Sequence, residues 1–181
     1  MFNQRFLIMF LKICAFVTTL SFMLSAAMAQ WSIETLDAPK YFADFFPRAI
    51  AVDSSNHPHI AYGGDHLYYT YYDGSTWHYE TIDSSSGVGK YTSLALDSSD
   101  KVHISYYDDT NGYLKYVTGT PGYWGTPETL DSSGYVGLFT SLALDSSDKV
   151  HISYYGFTIL SKLGVYLDSI LRHIILKFRH S

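Results

Sequence analysis

The sequence repeats itself, and this repetition constrains the fold more than any single motif does. Residues 92–107 read TSLALDSSDKVHISYY, and residues 140–155 repeat these 16 letters unchanged, 48 positions later. A diverged copy, AIAVDSSNHPHIAY, occupies residues 49–62. A second element recurs between these copies as WSIETLD, WHYETID and WGTPETLD, which begin at Trp31, Trp77 and Trp124. The chain is therefore predicted to stack several similar structural units.

Within each unit the pattern predicts β-strands. In VHISYYD (residues 102–108), Val, Ile and Tyr alternate with His, Ser and Tyr, and such period-two alternation is typical of a strand. Clusters rich in Ser, Asp, Asn and Gly, such as SSDK, DTNG and GTPGY, separate the strands and predict turns. The longer segment SSGYVGLF is predicted as a loop between units. Each unit is thus predicted to contain four short antiparallel strands and no helix, which makes the fold all-β.

Four-stranded units of this length are typical of β-propeller blades, which pack face to face and bury both sides of each sheet. A flat sandwich would carry more charge on one face, and a β-solenoid would have a shorter period. The count gives about two and a half blades. It comprises an orphan strand at 31–37, blades at 49–82 and 93–130, and half a blade at 141–155. Closed propellers contain ~4–8 blades, so the chain encodes a partial propeller.

The core motif LALDSS…HISYYD resembles the repeats of secreted bacterial and archaeal β-propeller proteins, including neuraminidase-like repeats. The resemblance covers residues 31–155 and implies a propeller fold. YYDGSTW at residues 71–77 also resembles the Asp-box of sialidases and related propellers, although it is one residue shorter. The Asp-box is a folding turn, so this likeness bears on the fold and not on chemistry.

The first 29 residues are predicted to be a secretory signal peptide that forms a helix. Arg5 and Lys12 are followed by an apolar run at 13–24, and Ala27-Met28-Ala29 gives a small-x-small cleavage site. An uncleaved signal anchor is the alternative. The protein is therefore expected to be secreted, extracellular or periplasmic. Its single cysteine, Cys14, lies in this segment, so no intramolecular disulfide or cysteine-based metal site is expected.

Charge divides the rest of the chain into an acidic body and a basic tail. Residues 30–155 hold 6 Lys and Arg against 16 Asp and Glu, a balance that argues against nucleic acid as a partner. Residues 156–181 break the repeat and are basic and rich in Leu and Ile. One hypothesis is a truncated gene whose tail is read out of frame. The alternatives are an amphipathic helix, since Leu and Ile follow helical spacing, that covers the sheet edge or lies on a membrane.

Three Asp–His pairs recur at the same repeat position, each six residues apart. A ring of metal-binding or general-base histidines would use such residues. Repetition in every unit favours structural pairs instead, because catalytic sites in propellers draw unlike residues from different blades. We therefore expect no metal and no cofactor, and no calcium at the DSSDK turns, which lack the ligand pattern of a calcium loop. The pairs are Asp53 with His59, Asp97 with His103, and Asp145 with His151.

Enzymatic chemistry is not expected. Sialidases hold the carboxylate of their substrate with several arginines, whereas residues 30–155 contain only Arg48. No nucleophile elbow, P-loop, zinc motif or dinucleotide fingerprint is present. The function predicted is a non-enzymatic module that binds extracellular carbohydrate or protein. The alternatives are a fragment of a propeller hydrolase or lyase without its catalytic blades, or a nonfunctional truncated product.

The candidate ligand-binding residues come from two kinds of loop that share one face of a propeller, the loops between second and third strands and those between blades. Aromatic rings beside carboxylates and amides suit sugar stacking with hydroxyl hydrogen bonding. The alternative is that the tyrosines only fill space between blades. Open sheet edges also predict self-association. The candidates are Asp65, His66, Tyr91, Tyr107, Asp108, Asp109, Asn111, Tyr135 and Phe139.

Overall fold

The computed structural model describes residues 32–36, 49–160 and 165–176. The chain divides into two compact units, Met1–Ala38 and Pro39–Ser181. The predicted signal peptide lies outside the described residues. Of the strand predicted at 31–37, residues 32–36 are described, and they belong to no strand. A strand requires a hydrogen-bonded neighbour, which the sequence of these residues alone does not provide.

The second unit begins with a four-stranded antiparallel sheet, here called sheet 1. Its strands follow one another in space as in sequence: β1 (Ala49–Val52), β2 (Pro58–Gly63), β3 (Leu67–Tyr72) and β4 (Trp77–Asp83). The Asp-box-like turn joins β3 to β4. There the Asp73 carboxylate accepts hydrogen bonds from the backbone N–H groups of Ser75 and Thr76, both at 2.8 Å. These bonds lower the pKa of Asp73, as expected for an acceptor that is stabilised in its ionised form.

Sheet 2 repeats this arrangement with a divided last strand. It contains β5 (Val88–Leu96), β6 (Val102–Asp108) and β7 (Tyr113–Thr120), and β7 pairs with both β8 (Tyr123–Trp124) and β9 (Glu128–Asp131). The sequence predicted one strand where β8 and β9 lie. Gly125 N–H instead bonds the Thr118 carbonyl at 2.9 Å between the two short strands. Sheet 2 begins at Val88, five residues before the predicted segment 93–130.

Sheet 3 contains β10 (Tyr135–Leu144), β11 (Val150–Leu160) and β12 (Val165–Leu176), all antiparallel. The helix considered for the tail is therefore wrong for residues 165–176, which pair with β11 along its whole length. The tail is rich in β-branched residues, and the edge of β11 offers a row of backbone hydrogen-bonding groups that a strand satisfies and a helix does not. The predicted half blade at 141–155 is consequently a three-stranded sheet.

Glycine-rich bulges at the start of β5 and β10 correct the prediction of long loops between the units. Gly89 and Tyr91 in β5, and Gly137 and Phe139 in β10, all have positive φ angles. The register of each strand shifts at these residues, so two extra residues are accommodated without ending the pairing. The strands therefore extend into segments that the sequence assigned to loops, and the connections left between sheets are short.

The sheets pack through their first strands. β5 packs against β1, β2 and β3, and β10 packs against β5, β6 and β7. Each junction buries an apolar cluster, centred on Ile104 and Tyr106 between sheets 1 and 2, and on Ile152 and Tyr154 between sheets 2 and 3. Ile104 and Ile152 occupy the same repeat position and are both fully buried. The repeat thus produces the same core twice.

A largely buried aspartate joins each sheet to the next. Asp83, the last residue of β4, accepts hydrogen bonds from the Tyr106 hydroxyl and from Lys115 Nζ of sheet 2, both at 2.6 Å. Burial raises the pKa of Asp83, but the bonds from Lys115 and Tyr106 outweigh it and lower the pKa to about 2. Asp131 repeats the arrangement at the next junction, with Tyr154 at 2.7 Å and Arg172 at 2.9 Å.

The DSSD turns supply a second repeated tie between sheets. The Asp100 carboxylate accepts hydrogen bonds from the backbone N–H of Ser54 at 2.9 Å and from its hydroxyl at 2.6 Å. Asp148 does the same for Ser98, at 3.1 and 2.6 Å. Each turn therefore donates to the turn of the following sheet. The all-β prediction is confirmed for the described residues, and none of the three sheets closes on itself. In the same residues no helix is both long and apolar enough to span a bilayer.

Candidate functional site

The recurrent aspartate and histidine side chains approach each other in all three sheets. His103 Nε2 lies 3.3 Å from Asp97 Oδ2, and His151 Nε2 lies 3.2 Å from Asp145 Oδ2. His59 Nε2 lies 3.5 Å from Asp53 Oδ2, which is an ion-pair distance without hydrogen-bond geometry. The hairpin between first and second strands brings each pair together, because the Asp directly follows one strand and the His is the second residue of the next.

Two of these histidines also contact a tyrosine that the sequence reasoning missed. The Tyr69 hydroxyl bonds His59 Nδ1, and the Tyr116 hydroxyl lies 2.6 Å from His103 Nδ1. The signal was present, because both tyrosines end a Leu-x-Tyr motif in the third strand of their units. Both histidines and both tyrosines are buried. Only Asp53 and Asp97 keep some exposure, at 16% and 12% of their side chains. The burial of the histidines and tyrosines favours a structural role.

Burial lowers the pKa of His59 and His103 below their ordinary value of 6.5, against the opposing influence of Asp53 and Asp97. Below about pH 6.5 the unfolded chain therefore takes up protons that the folded chain does not. We expect the free energy of unfolding to be unaffected by these groups above that pH. It should decrease as pH falls towards 5, by up to about 1.4 kcal/mol per pH unit for each histidine.

Urea unfolding midpoints between pH 7.5 and pH 5 would measure this effect. The variant His103→Gln should be less stable at pH 7.5 but should show a shallower pH dependence, because one of the two titrating groups is gone. The carboxylates do not confuse the result, since the pKa values of Asp53 and Asp97 are lowered from 3.8 and their contribution is lost only in more acidic solution. A midpoint that stays constant over the range contradicts the assignment.

The structure places the two kinds of predicted loop side by side. Gly87 N–H bonds the Asp65 carbonyl at 2.8 Å, and Asp109 N–H bonds the Gly87 carbonyl at 2.9 Å. Val136 N–H bonds the Gly112 carbonyl, also at 2.9 Å. The turn after each second strand therefore lies against the connection that leads into the following sheet. All nine predicted ligand-binding residues lie at this end of the strands, in or beside these turns and connections.

Four of the nine hold the loops themselves in place. Asp108 Oδ2 accepts from the Asn111 side-chain amide at 2.8 Å, and Asp108 is buried. Asp65 accepts from the Tyr68 hydroxyl at 2.9 Å, and His66 Nδ1 lies 2.9 Å from the Ser85 carbonyl. The side chains of Asp65, His66 and Asp108 are engaged in ordering these turns. Asn111 is exposed despite its bond to Asp108.

Six aromatic rings form a continuous series of contacts between sheets 2 and 3, here called the aromatic row. The ring centroids of Tyr91 and Phe139 lie 4.5 Å apart. The ring of Tyr135 stacks on that of Phe157, with 5.2 Å between the centroids and only 5° between the planes. Phe139 is 63% exposed and Tyr135 is 45% exposed, whereas Tyr107 is buried. The row therefore presents at least two ring faces to solvent. Its members, in order of contact, are Tyr107, Tyr91, Phe139, Tyr155, Phe157 and Tyr135.

Two members of the row lie in the left-handed backbone region. Tyr91 has φ of 54° and Phe139 has φ of 52°. This conformation is an outlier for a bulky side chain and costs roughly 1–3 kcal/mol. Both residues occupy the second bulge of their strand, and the bulge directs the rings towards each other. Strain of this kind persists only where the surrounding structure enforces it, and it concentrates at binding sites.

A polar turn lies beside the row. Residues 109–112 connect β6 to β7, and the side chains of Asp109, Thr110 and Asn111 are exposed. Lys90 Nζ bonds Asp109 Oδ2 at 2.5 Å, and a Cβ placed on Gly112 would lie 3.1 Å from Cδ1 of Tyr135. Burial raises the pKa of Tyr107 to about 12, with a further contribution from the nearby carboxylate of Asp109. The turn thus lies between the two ends of the row.

The repeats diverge at this place, although they agree elsewhere. At the junction of sheets 1 and 2, Gly87 and Gly63 occupy the positions that Tyr135 and Tyr107 hold between sheets 2 and 3, and Asp109 occupies the position of Phe157. The aromatic row is therefore not a consequence of the repeat. Sequence reasoning included four of its members and missed Tyr155 and Phe157, as well as Lys90. The exact 48-residue copy pairs Tyr155 with the candidate Tyr107, which was the signal that could have found Tyr155.

The described residues contain no group of three or more His, Cys, Asp or Glu side chains arranged to hold a metal ion. The chemistry that the aromatic row offers is stacking, with carboxylate, amide and hydroxyl groups at its side. Such a surface can bind a ligand that has both apolar faces and hydroxyl groups.

Comparisons with known proteins identify no family for this chain. No family model and no curated protein sequence matches it. Among solved structures, a fucose lectin from Kordia zhangzhouensis in complex with methyl-fucoside is similar, with a TM-score of 0.46 and 17% sequence identity. The match covers 74% of this chain and 100% of the lectin chain. Similarity at this level does not transfer a ligand or a site from one protein to the other.

Proposed function

We propose that this protein is an exported, non-enzymatic module that binds carbohydrate at the aromatic row. The observation that carries the proposal is the exposure of Phe139 and Tyr135 beside the polar turn at 109–112. Pyranose rings have apolar C–H faces that stack on aromatic rings, and their hydroxyl groups bond carboxylates and amides. Asp109 and Asn111 supply those two groups within the turn.

We further propose that the three sheets are blades of a β-propeller. Each sheet is an antiparallel meander of consecutive strands, and sheets 2 and 3 each pack on the preceding sheet through their first strand. The ties made by Asp83 and Asp131 recur with the same geometry at both junctions. In such an architecture the turns after second strands and the connections between blades share one end, where the aromatic row lies.

The proposal can be tested on a glycan array with the full chain and the variant Phe139→Ala. We expect the wild-type protein to bind a defined set of glycans, and the variant to bind the same set about tenfold more weakly, since a lost stacking contact costs about 1.4 kcal/mol. Isothermal titration with the best glycan then measures the ratio of dissociation constants.

Tyr123→Ala is the matched control, because Tyr123 is also aromatic and is 82% exposed but lies on β8, outside the row. It should bind as the wild type does. Absence of glycan binding by the folded wild-type chain, or an equal loss in both variants, would refute the proposal. Binding of a peptide ligand that Phe139→Ala abolishes would instead assign the same surface to a protein partner.

A further inference from the structure

The two outer faces of the described sheets differ from the faces at the two junctions. On the first strand of each sheet, one apolar position faces the preceding sheet. Leu94 and Leu142 hold this position in sheets 2 and 3, and Ile50 holds it in sheet 1. Leu94 and Leu142 are only 8% and 7% exposed because the preceding sheet covers them. Ile50 is 65% exposed, and its neighbour Val52 is 59% exposed. We call this apolar surface of sheet 1 the leading face.

The opposite face of sheet 3 shows the complementary difference. At the two junctions, the next sheet packs against small side chains such as Ala51 and Ala95, which are half-buried. Their equivalent in sheet 3, Ala143, is exposed, as is the neighbouring Ser141. His151 is also more exposed, at 32% of its side chain compared with 3% for His103. We call this surface of sheet 3 the trailing face.

The DSSD turns show the same mismatch at the two ends. Ser54 and Ser98 each donate to the aspartate of the following turn. Ser146 occupies the donor position in sheet 3, and Asn56 occupies the acceptor position in sheet 1, with a positive φ of 65° like that of Asp100. An asparagine carbonyl accepts a hydrogen bond from a serine hydroxyl. The chain thus carries one donor turn and one acceptor turn that would complete a third tie.

We infer that a second copy of this chain docks head to tail, with its trailing face on the leading face of the first. The occupant is identified by the molecule itself, because leading and trailing faces already fit each other at both internal junctions. Such a contact is heterologous, so it uses two different surfaces of each copy and adds copies until a ring closes. The inference is independent of glycan binding and would stand if the aromatic row bound nothing.

Size-exclusion chromatography with light scattering on the full chain tests the inference. We expect a mass of at least two chains that decreases on dilution. Ile50→Glu blocks the leading face and Ala143→Arg blocks the trailing face, so each variant alone should have the mass of one chain. An equimolar mixture of the two should recover a dimer and nothing larger, because one intact face of each kind remains. Tyr123→Glu should assemble as the wild type does.

Circular dichroism spectra would establish that the variants are folded, and Ile50→Ser replaces Ile50→Glu if the charge prevents folding. A wild-type chain that stays a single copy over a hundredfold range of concentration overturns the inference. So does a folded mixture of the two variants that fails to recover a dimer. Assembly lost in Ile50→Glu but unchanged in Ala143→Arg would indicate a symmetric contact between two leading faces, and would also overturn it.

Discussion

The variant Asp83→Ala is expected to lower the free energy of unfolding by about 3 kcal/mol, one of the two largest effects that we predict. The substitution removes a carboxylate that accepts from both Lys115 Nζ and the Tyr106 hydroxyl across the first junction. Lys115 is largely buried and Tyr106 fully so. Breaking a buried ion pair by deleting one partner costs about 3–5 kcal/mol, because the other charge stays desolvated.

Urea denaturation followed by circular dichroism measures the loss as a lower midpoint. Asp109→Ala is the matched control, since Asp109 also pairs with a lysine, Lys90, but is exposed. Its loss should cost less than about 1 kcal/mol. The carboxylate of Asp83, with its pKa of about 2, stays ionised down to mild acid, so the difference between the variants should persist at pH 5. Equal midpoints for the two variants would contradict the role assigned to Asp83.

Gly137→Ala is expected to have the second large effect and to lower the free energy of unfolding by about 3 kcal/mol. Gly137 forms the first bulge of β10 with φ of 100°, and a Cβ there would lie 2.7 Å from the Cα of Leu114. The backbone of β7 must move to accommodate the methyl group, and the left-handed conformation adds about 1–2 kcal/mol. The substitution therefore disturbs the junction of sheets 2 and 3 directly.

Gly122→Ala separates the cost of close packing from the cost of the left-handed conformation. Gly122 also has a positive φ, of 78°, but no atom lies within 4 Å of a Cβ placed on it. It should lose only the conformational part, about 1 kcal/mol. Thermal or urea unfolding of both variants gives the comparison. If Gly137→Ala is no more destabilising than Gly122→Ala, close packing at the bulge does not limit this junction.

The tail shows where a sequence pattern was insufficient. Leu and Ile at helical spacing made an amphipathic helix one alternative for the tail, yet residues 165–176 form a strand. The segment VYLDSILRHIIL mixes apolar and polar residues in an order that does not exclude either period, and the available partner then decides. That partner is β11, and the register places Arg172 opposite Tyr154, as Lys115 lies opposite Tyr106 in sheet 2. Arg172 consequently reproduces the ion pair of Lys115 with an aspartate of the previous sheet.

The candidate site was predicted in part for a similar reason. Loop positions follow from the strand pattern, so the edge that carries Tyr91, Asp109 and Tyr135 could be deduced. The left-handed conformations of Tyr91 and Phe139 could not be deduced, because they depend on bulges that the packing of two sheets imposes. Tyr155 and Phe157 join the row only because β11 aligns with β10 in that register.

The sequence by itself determined the all-β class and the hairpins that bring each recurring Asp and His together, because alternation and turn residues act over a few positions. Tertiary structure decided which strand the tail joins, which aspartates unite the sheets and which rings meet. Those outcomes depend on contacts between separate strands, such as Asp83 with Tyr106, 23 positions apart, and Tyr91 with Phe139, 48 positions apart. Only the packed sheets bring such residues together.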